Sequence, residues 1–139
     1  MRLSFCIAAT VVVLVAPATA SAIEDYRCTI ERVIAASGTG GPVQDLMDRT
    51  YVGKEFTVER ETGLMAGALK NSFFTSPHVV DRGSTENSFK VVTTMTREQG
   101  TGAGSNVYVL VVNEFAKGER KPFIYLNNDL AYIGDCIHF

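Results

Sequence analysis

From Phe89 to Phe139 the chain is written in short stretches whose side chains alternate between apolar and polar, each ended by Gly, Asn or Asp. A period of two puts neighbouring side chains on opposite faces of an extended backbone, so each stretch reads as a half-buried strand. Phe89, Val91, Thr93 and Met95 share one face, with Lys90, Val92, Thr94 and Thr96 on the other. Residues 107–112 are apolar on both faces, which predicts a central strand covered on both sides. Residues 122–126 run extended, Asn127-Asn128-Asp129 turns the chain, and residues 130–139 close it with Leu130, Tyr132, Gly134 and Cys136 on one face. Upstream, Tyr26, Cys28, Ile30 and Ile34 fall in one phase against Arg27, Thr29 and Glu31. Residues 56–60 and 64–69 form a hairpin about Glu61-Thr62-Gly63, and residues 78–81 a short edge strand after Pro77. Residues 37–42 are a loop by composition, and residues 43–48 hold at most one helical turn. With no amphipathic helix to carry a crossover, parallel βαβ architecture is excluded, and about eight antiparallel strands remain.

Residues 1–22 read as a secretory signal peptide: Arg2 is the positive start, residues 7–15 the apolar run, and Ala20-Ser21-Ala22 the cleavage site, with Ala18-Thr19-Ala20 as an alternative. The run is too short to span a bilayer, and Cys6 precedes it, where a lipoprotein would carry its Cys directly after it. The expected product is one domain over residues 23–139, secreted or periplasmic, with no membrane anchor after cleavage. Loss of the leader removes Cys6 and leaves Cys28 and Cys136, whose simplest state in an oxidising compartment is one disulfide; two free thiols or two metal ligands are the alternatives. Bonding Cys28 on the first strand to Cys136 on the last brings the chain ends together. That is what closing a meander into a barrel does, and closure removes exposed edges. The fold class is therefore all-β, a small barrel with its terminal strands joined by a disulfide, a β-sandwich being the alternative.

Of the 139 residues 46% are hydrophobic and 20% charged, enough apolar material for a packed core, and the net charge of −2 excludes a basic nucleic-acid footprint. No cofactor motif is present. Gly100-Thr101-Gly102-Ala103-Gly104 is followed by a strand rather than by the helix a phosphate loop needs, so it reads as a hairpin loop. His78, Asp81 and Ser84 have the residue types of a triad or a metal site, yet sequence proximity alone makes them surface polar groups, and no metal site is assigned. His138 reads as an exposed end-strand residue, and Glu59 and Glu61 as solvated hairpin charges. Aromatic residues suffice to line a cavity, although a barrel of this size can equally be filled by side chains. Phe73 and Phe74, in an irregular polar stretch, are the candidate contacts for a ligand or partner, with His78 beside them.

Residues 56–63, Ser88-Phe89-Lys90-Val91-Val92, Lys121-Pro122-Phe123 and Gly134-Asp135-Cys136 together resemble small exported proteins of unknown function from Gram-negative bacteria. That resemblance implies a periplasmic or secreted setting. Tyr26-Arg27-Cys28 is similar to the Tyr-x-Cys near the mature start of the periplasmic inhibitors of c-type lysozymes, which implies a small barrel. Their inhibitory Ser-Gly-x-x-Tyr loop has no counterpart here, because Ser37-Gly38 lacks the Tyr. The function expected is a non-catalytic module that binds a protein or small ligand. A small hydrolase using His78 or His138 with a carboxylate, and a structural envelope protein, are the alternatives.

Overall fold

The computed structural model describes residues 24–71, 75–100 and 104–139. The predicted leader, Phe73 and Phe74, and the middle of the glycine-rich loop lie outside them. The elements in order are β1 (Tyr26–Ala35), α1 (Pro42–Tyr51), β2 (Glu55–Val58), β3 (Met65–Gly67), β4 (His78–Arg82), β5 (Phe89–Met95), β6 (Asn106–Val112), β7 (Lys121–Asn127) and β8 (Leu130–His138). All eight strands are antiparallel in one sheet of order β3-β2-β1-β8-β7-β6-β5-β4, which curls into a half-barrel. Every strand pairs with its neighbours in sequence, and β1 pairs with β8, except that β3 and β4 do not pair. The order is thus that of an up-and-down barrel opened at one seam.

Cys28 and Cys136 stand directly opposite one another in the β1–β8 ladder and form a disulfide, with Cα atoms 3.9 Å apart. The sequence locates this bond, but closure does not follow from it: the ends meet in the middle of the sheet, and the open edges fall at β3 and β4 instead. Gly134 marks the closest approach, since a Cβ there would lie 2.0 Å from Thr29 O. Beside it β1 carries a bulge. Ile30 pairs with Gly134 and Arg32 with Ile133, so Glu31 is the extra residue. The bulge flips the phase of the strand and buries Val33 rather than Arg32, leaving Ile34 half-buried outside the expected row.

The interior is filled. Tyr26, Tyr125, Tyr132, Phe56, Phe89, Ile30 and Leu110 are each less than 2% exposed. They interlock by edge-on ring contacts such as Phe56–Phe123 at 5.2 Å and Tyr51–Tyr132 at 5.1 Å. Only this inner face is covered. Val107 is 48% exposed, so β6 is not covered on both sides as its sequence predicts. Its outer Val109 and Val111 continue instead into outward-facing Leu126 and Ala131, Ile124 and Ile133 on β7 and β8.

A ten-residue helix occupies residues where the sequence suggests at most a turn. Gly41, at φ +86°, admits the chain, Pro42 starts the helix, Asp45 sits in the first turn and Arg49 in the last, as the helix dipole favours. Met47 and Tyr51, one turn apart, pack on the core. The helical period is obscured because Val43 and Leu46 lie on the exposed side, at 63% and 53%.

Candidate functional site

Strand direction places the described parts of loops 37–42, 70–78 and 100–104 at one end of the half-barrel, the end that α1 covers. There Tyr51, Tyr125 and Tyr132, with Leu69, Lys70 and Asn127, surround a cleft of about 140 Å³. Tyr125 donates its hydroxyl to Lys70 O at 2.9 Å, and burial pushes the pKa values of Tyr125 and Tyr132 well above the usual tyrosine value. Tyrosines packed edge-on and tilted against one another therefore stopper this mouth. The cleft is smaller than the roughly 300 Å³ at which ligand pockets begin.

The opposite end holds the acid–base groups. Tyr26 donates to Glu114 Oε2 at 2.6 Å, and His138 Nε2 lies 2.9 Å from Glu114 Oε1, so the carboxylate takes both. Arg60 stacks over the Tyr26 ring at 5.0 Å, and its Nη2 donates to Arg82 O at 2.8 Å. Desolvation, and then the bond to Glu114, hold the Tyr26 hydroxyl protonated far above its normal range. His138 is thus not the exposed end-strand residue its position suggests, its side chain being 23% exposed. Its second nitrogen, Nδ1, is buried without a partner. A base serving a substrate needs a lone pair within hydrogen-bond reach of it, whereas here one nitrogen is bound and the other covered. Glu114, which organises the cluster, lies 88 residues from Tyr26, and no local pattern announces it.

The two histidines are not brought together, for β5, β6 and β7 stand between their strands and they sit at opposite ends of the sheet. Nor do His78, Asp81 and Ser84 converge. Asp81 accepts from Gly83 N–H at 2.9 Å and pairs with Lys90 at 3.4 Å. The Gly83 bond, reinforced by Lys90, holds its carboxyl below the usual range. Ser84 Oγ accepts from the Glu86 and Asn87 amides and so only closes a turn. Glu59 accepts from Thr62 within its own hairpin. Among the described residues no three His, Cys, Asp or Glu side chains converge as metal ligands.

Two of the clefts that described residues line on the outside exceed the size at which ligand pockets begin. One, of about 670 Å³, runs between α1 and β1, with Val33, Ile34 and Val52 in its apolar part and Arg32, Asp48 and Arg49 among its charges. Gln44 ties the helix to the strand there by donating to Val33 O at 2.7 Å. The other, of about 480 Å³, lies at the seam, where Glu61, Thr62 and Leu64 of the β2–β3 turn face Pro77, His78 and Val79. The structure thus sets His78 in a cleft wall. Cleft partners from the β2–β3 turn are invisible in sequence, because they follow from the pairing that β3 and β4 do not make.

A scan against protein-family models finds no match, and neither the curated proteins nor the solved structures yield one. Among the described residues no helix is long and apolar enough to cross a membrane. The disulfide is compatible with an extracellular or periplasmic protein.

Proposed function

We propose that this chain is an exported, non-catalytic binding module, secreted or periplasmic, and that its partner is a polypeptide rather than a small molecule. The observation that carries this reading is the filled interior. Large side chains occupy the space a carrier barrel would keep for its ligand, and tyrosines stopper the mouth. Recognition then belongs to the outer surface, where the two larger clefts lie. The engagement of His138 with Glu114 supports the non-catalytic part, since neither ring nitrogen is open to a substrate.

The test is native mass spectrometry of the non-reduced protein after incubation with extract of its own compartment. A defined protein complex is the expected result. A retained adduct of a few hundred daltons would replace the polypeptide by a small ligand. Hydrolysis lost in His138→Ala would replace binding by catalysis.

One observation favours a second reading, a self-associating envelope subunit: the aliphatic rows Val109–Leu126–Ala131 and Val111–Ile124–Ile133 on the outer face. Light scattering across a hundredfold concentration range distinguishes the two, as a strict monomer excludes this second reading.

A further inference from the structure

The seam offers something that the rest of the surface does not. Along β1, β2 and β5–β8 each strand has a neighbour on both sides, so a partner there meets only side chains. β3 and β4 have one neighbour each, and their far edges differ. The far edge of β3 is covered where the strand begins: Met65 N–H donates to Asn71 Oδ1 at 3.1 Å and Asn71 Nδ2 donates to O of Gly63, just before the strand, at 2.8 Å, so a side-chain amide, itself 1% exposed, plays the part of a neighbouring strand there. β4 has no such cover. At its C-terminal end Arg60 holds Arg82 O, and a bulge interrupts the ladder between Val79 and Asp81. His78 pairs with Val92 of β5, so on this stretch Val79 turns its N–H and C=O to the open side, and among the described residues nothing hydrogen-bonds them. Unpaired strand backbone is complementary to another extended backbone and to little else.

The cleft beside that edge supplies side-chain selectivity. Leu64, 41% exposed, faces Val79 and Pro77 across it, and Val80 is 56% exposed on the strand itself. Glu61 is the charged side chain of the cleft wall. We infer that the open edge of β4 takes an extended segment of a partner polypeptide as an added strand, with an apolar side chain in the seam cleft and a basic one towards Glu61. This rests on the polypeptide-binding reading and gives it a site and a mode. The bulge and the Arg60 clamp confine pairing to the His78–Val80 end, so the edge accepts a short strand and does not propagate a sheet. A second copy fits poorly. Antiparallel pairing of two such edges about Val80 sets bulge on bulge and His78 against Arg82.

The experiment titrates the full, disulfide-bonded, isotope-labelled protein with acetylated and amidated peptides Lys-X-Lys-X-Lys, X being Val, Ile, Leu or Phe, and follows backbone amide shifts and amide exchange. Saturable shifts at Leu64 and at residues 78–80, with slowed exchange at Val79, are expected for at least one peptide. The same peptide N-methylated at alternate residues should bind at least tenfold more weakly, and so should the original peptide to Glu61→Lys, a change at an exposed side chain. Equal binding of the N-methylated peptide overturns strand addition. Shifts confined to the α1–β1 cleft overturn the site while leaving the binding reading standing. No shift with any of the four peptides at millimolar concentration, or a β4-paired dimer in the free protein, overturns the inference; failure of the binding reading itself is read separately, in the mass-spectrometric test.

Discussion

Replacing Cys28 and Cys136 together by alanine is expected to lower stability through the unfolded chain rather than through the folded one. The two residues are neighbours in a ladder that runs from Tyr26↔His138 to Ala35↔Leu130, so β1 and β8 remain paired without the bond. What the bond changes is the unfolded ensemble, in which it ties residues 108 apart in sequence. In the chain-entropy account a loop of that length is worth about 4.8 kcal/mol at 25 °C. Domains of this size are stable by roughly 5–15 kcal/mol, so the double variant should lie near the limit of folding. With a urea dependence of about 1.5 kcal/mol per molar, the unfolding midpoint should fall by about 3 M. Tryptophan is absent, so circular dichroism follows the transition. Chemically reduced wild type is the control that keeps both buried sulfurs in place, and it should fall almost as far as the variant. The slope of the transition should steepen in both, because an unlinked unfolded chain exposes more surface. A midpoint shift below about 1 M with an unchanged slope would refute the reasoning, for it would mean that the unfolded chain already holds its ends together.

Gly134→Ala is expected to destabilise by at least about 3 kcal/mol, since its Cβ would meet a backbone oxygen at the β1 bulge rather than a side chain that can move away; thermal unfolding of the purified variant measures it. Glu114→Ala should cost roughly 1–3 kcal/mol by leaving the buried Tyr26 hydroxyl without its acceptor, whereas the double variant with Tyr26→Phe should recover part of that loss. Stability should fall as pH rises above about 10: burial raises the folded-state pKa values of Tyr26, Tyr125 and Tyr132, so the folded state retains protons that the unfolded state releases. At up to roughly 1.4 kcal/mol per pH unit for each tyrosine, urea midpoints at pH 9, 10 and 11 should decline progressively, and Tyr132→Phe should make the decline shallower. A decline as steep in that variant as in wild type would remove Tyr132 from the account.

The strands and the disulfide were legible in the sequence because both rest on short-range chemistry. A period of two is written residue by residue, and reading residues 1–22 as a leader leaves one pair of cysteines. Its edge-strand reading of residues 78–81 agrees with β4, and it names His78 as a contact residue, which the structure sets in the seam cleft. The helix was missed because Met47 and Tyr51 face the core while Val43 and Leu46 do not, a distinction made by the tyrosines of β7 and β8 and not by the helix itself.

What the sequence determined by itself is that this chain forms short antiparallel strands whose first and last members lie together, since alternation and thiol count are local facts. Tertiary structure alone decided where the ring stays open, where β1 bulges to exchange Arg32 for Val33, and that Glu114 takes both Tyr26 and His138. Each of these depends on which residues meet across long stretches of chain. The energy of such a meeting belongs to the pair, and neither partner's local sequence records it.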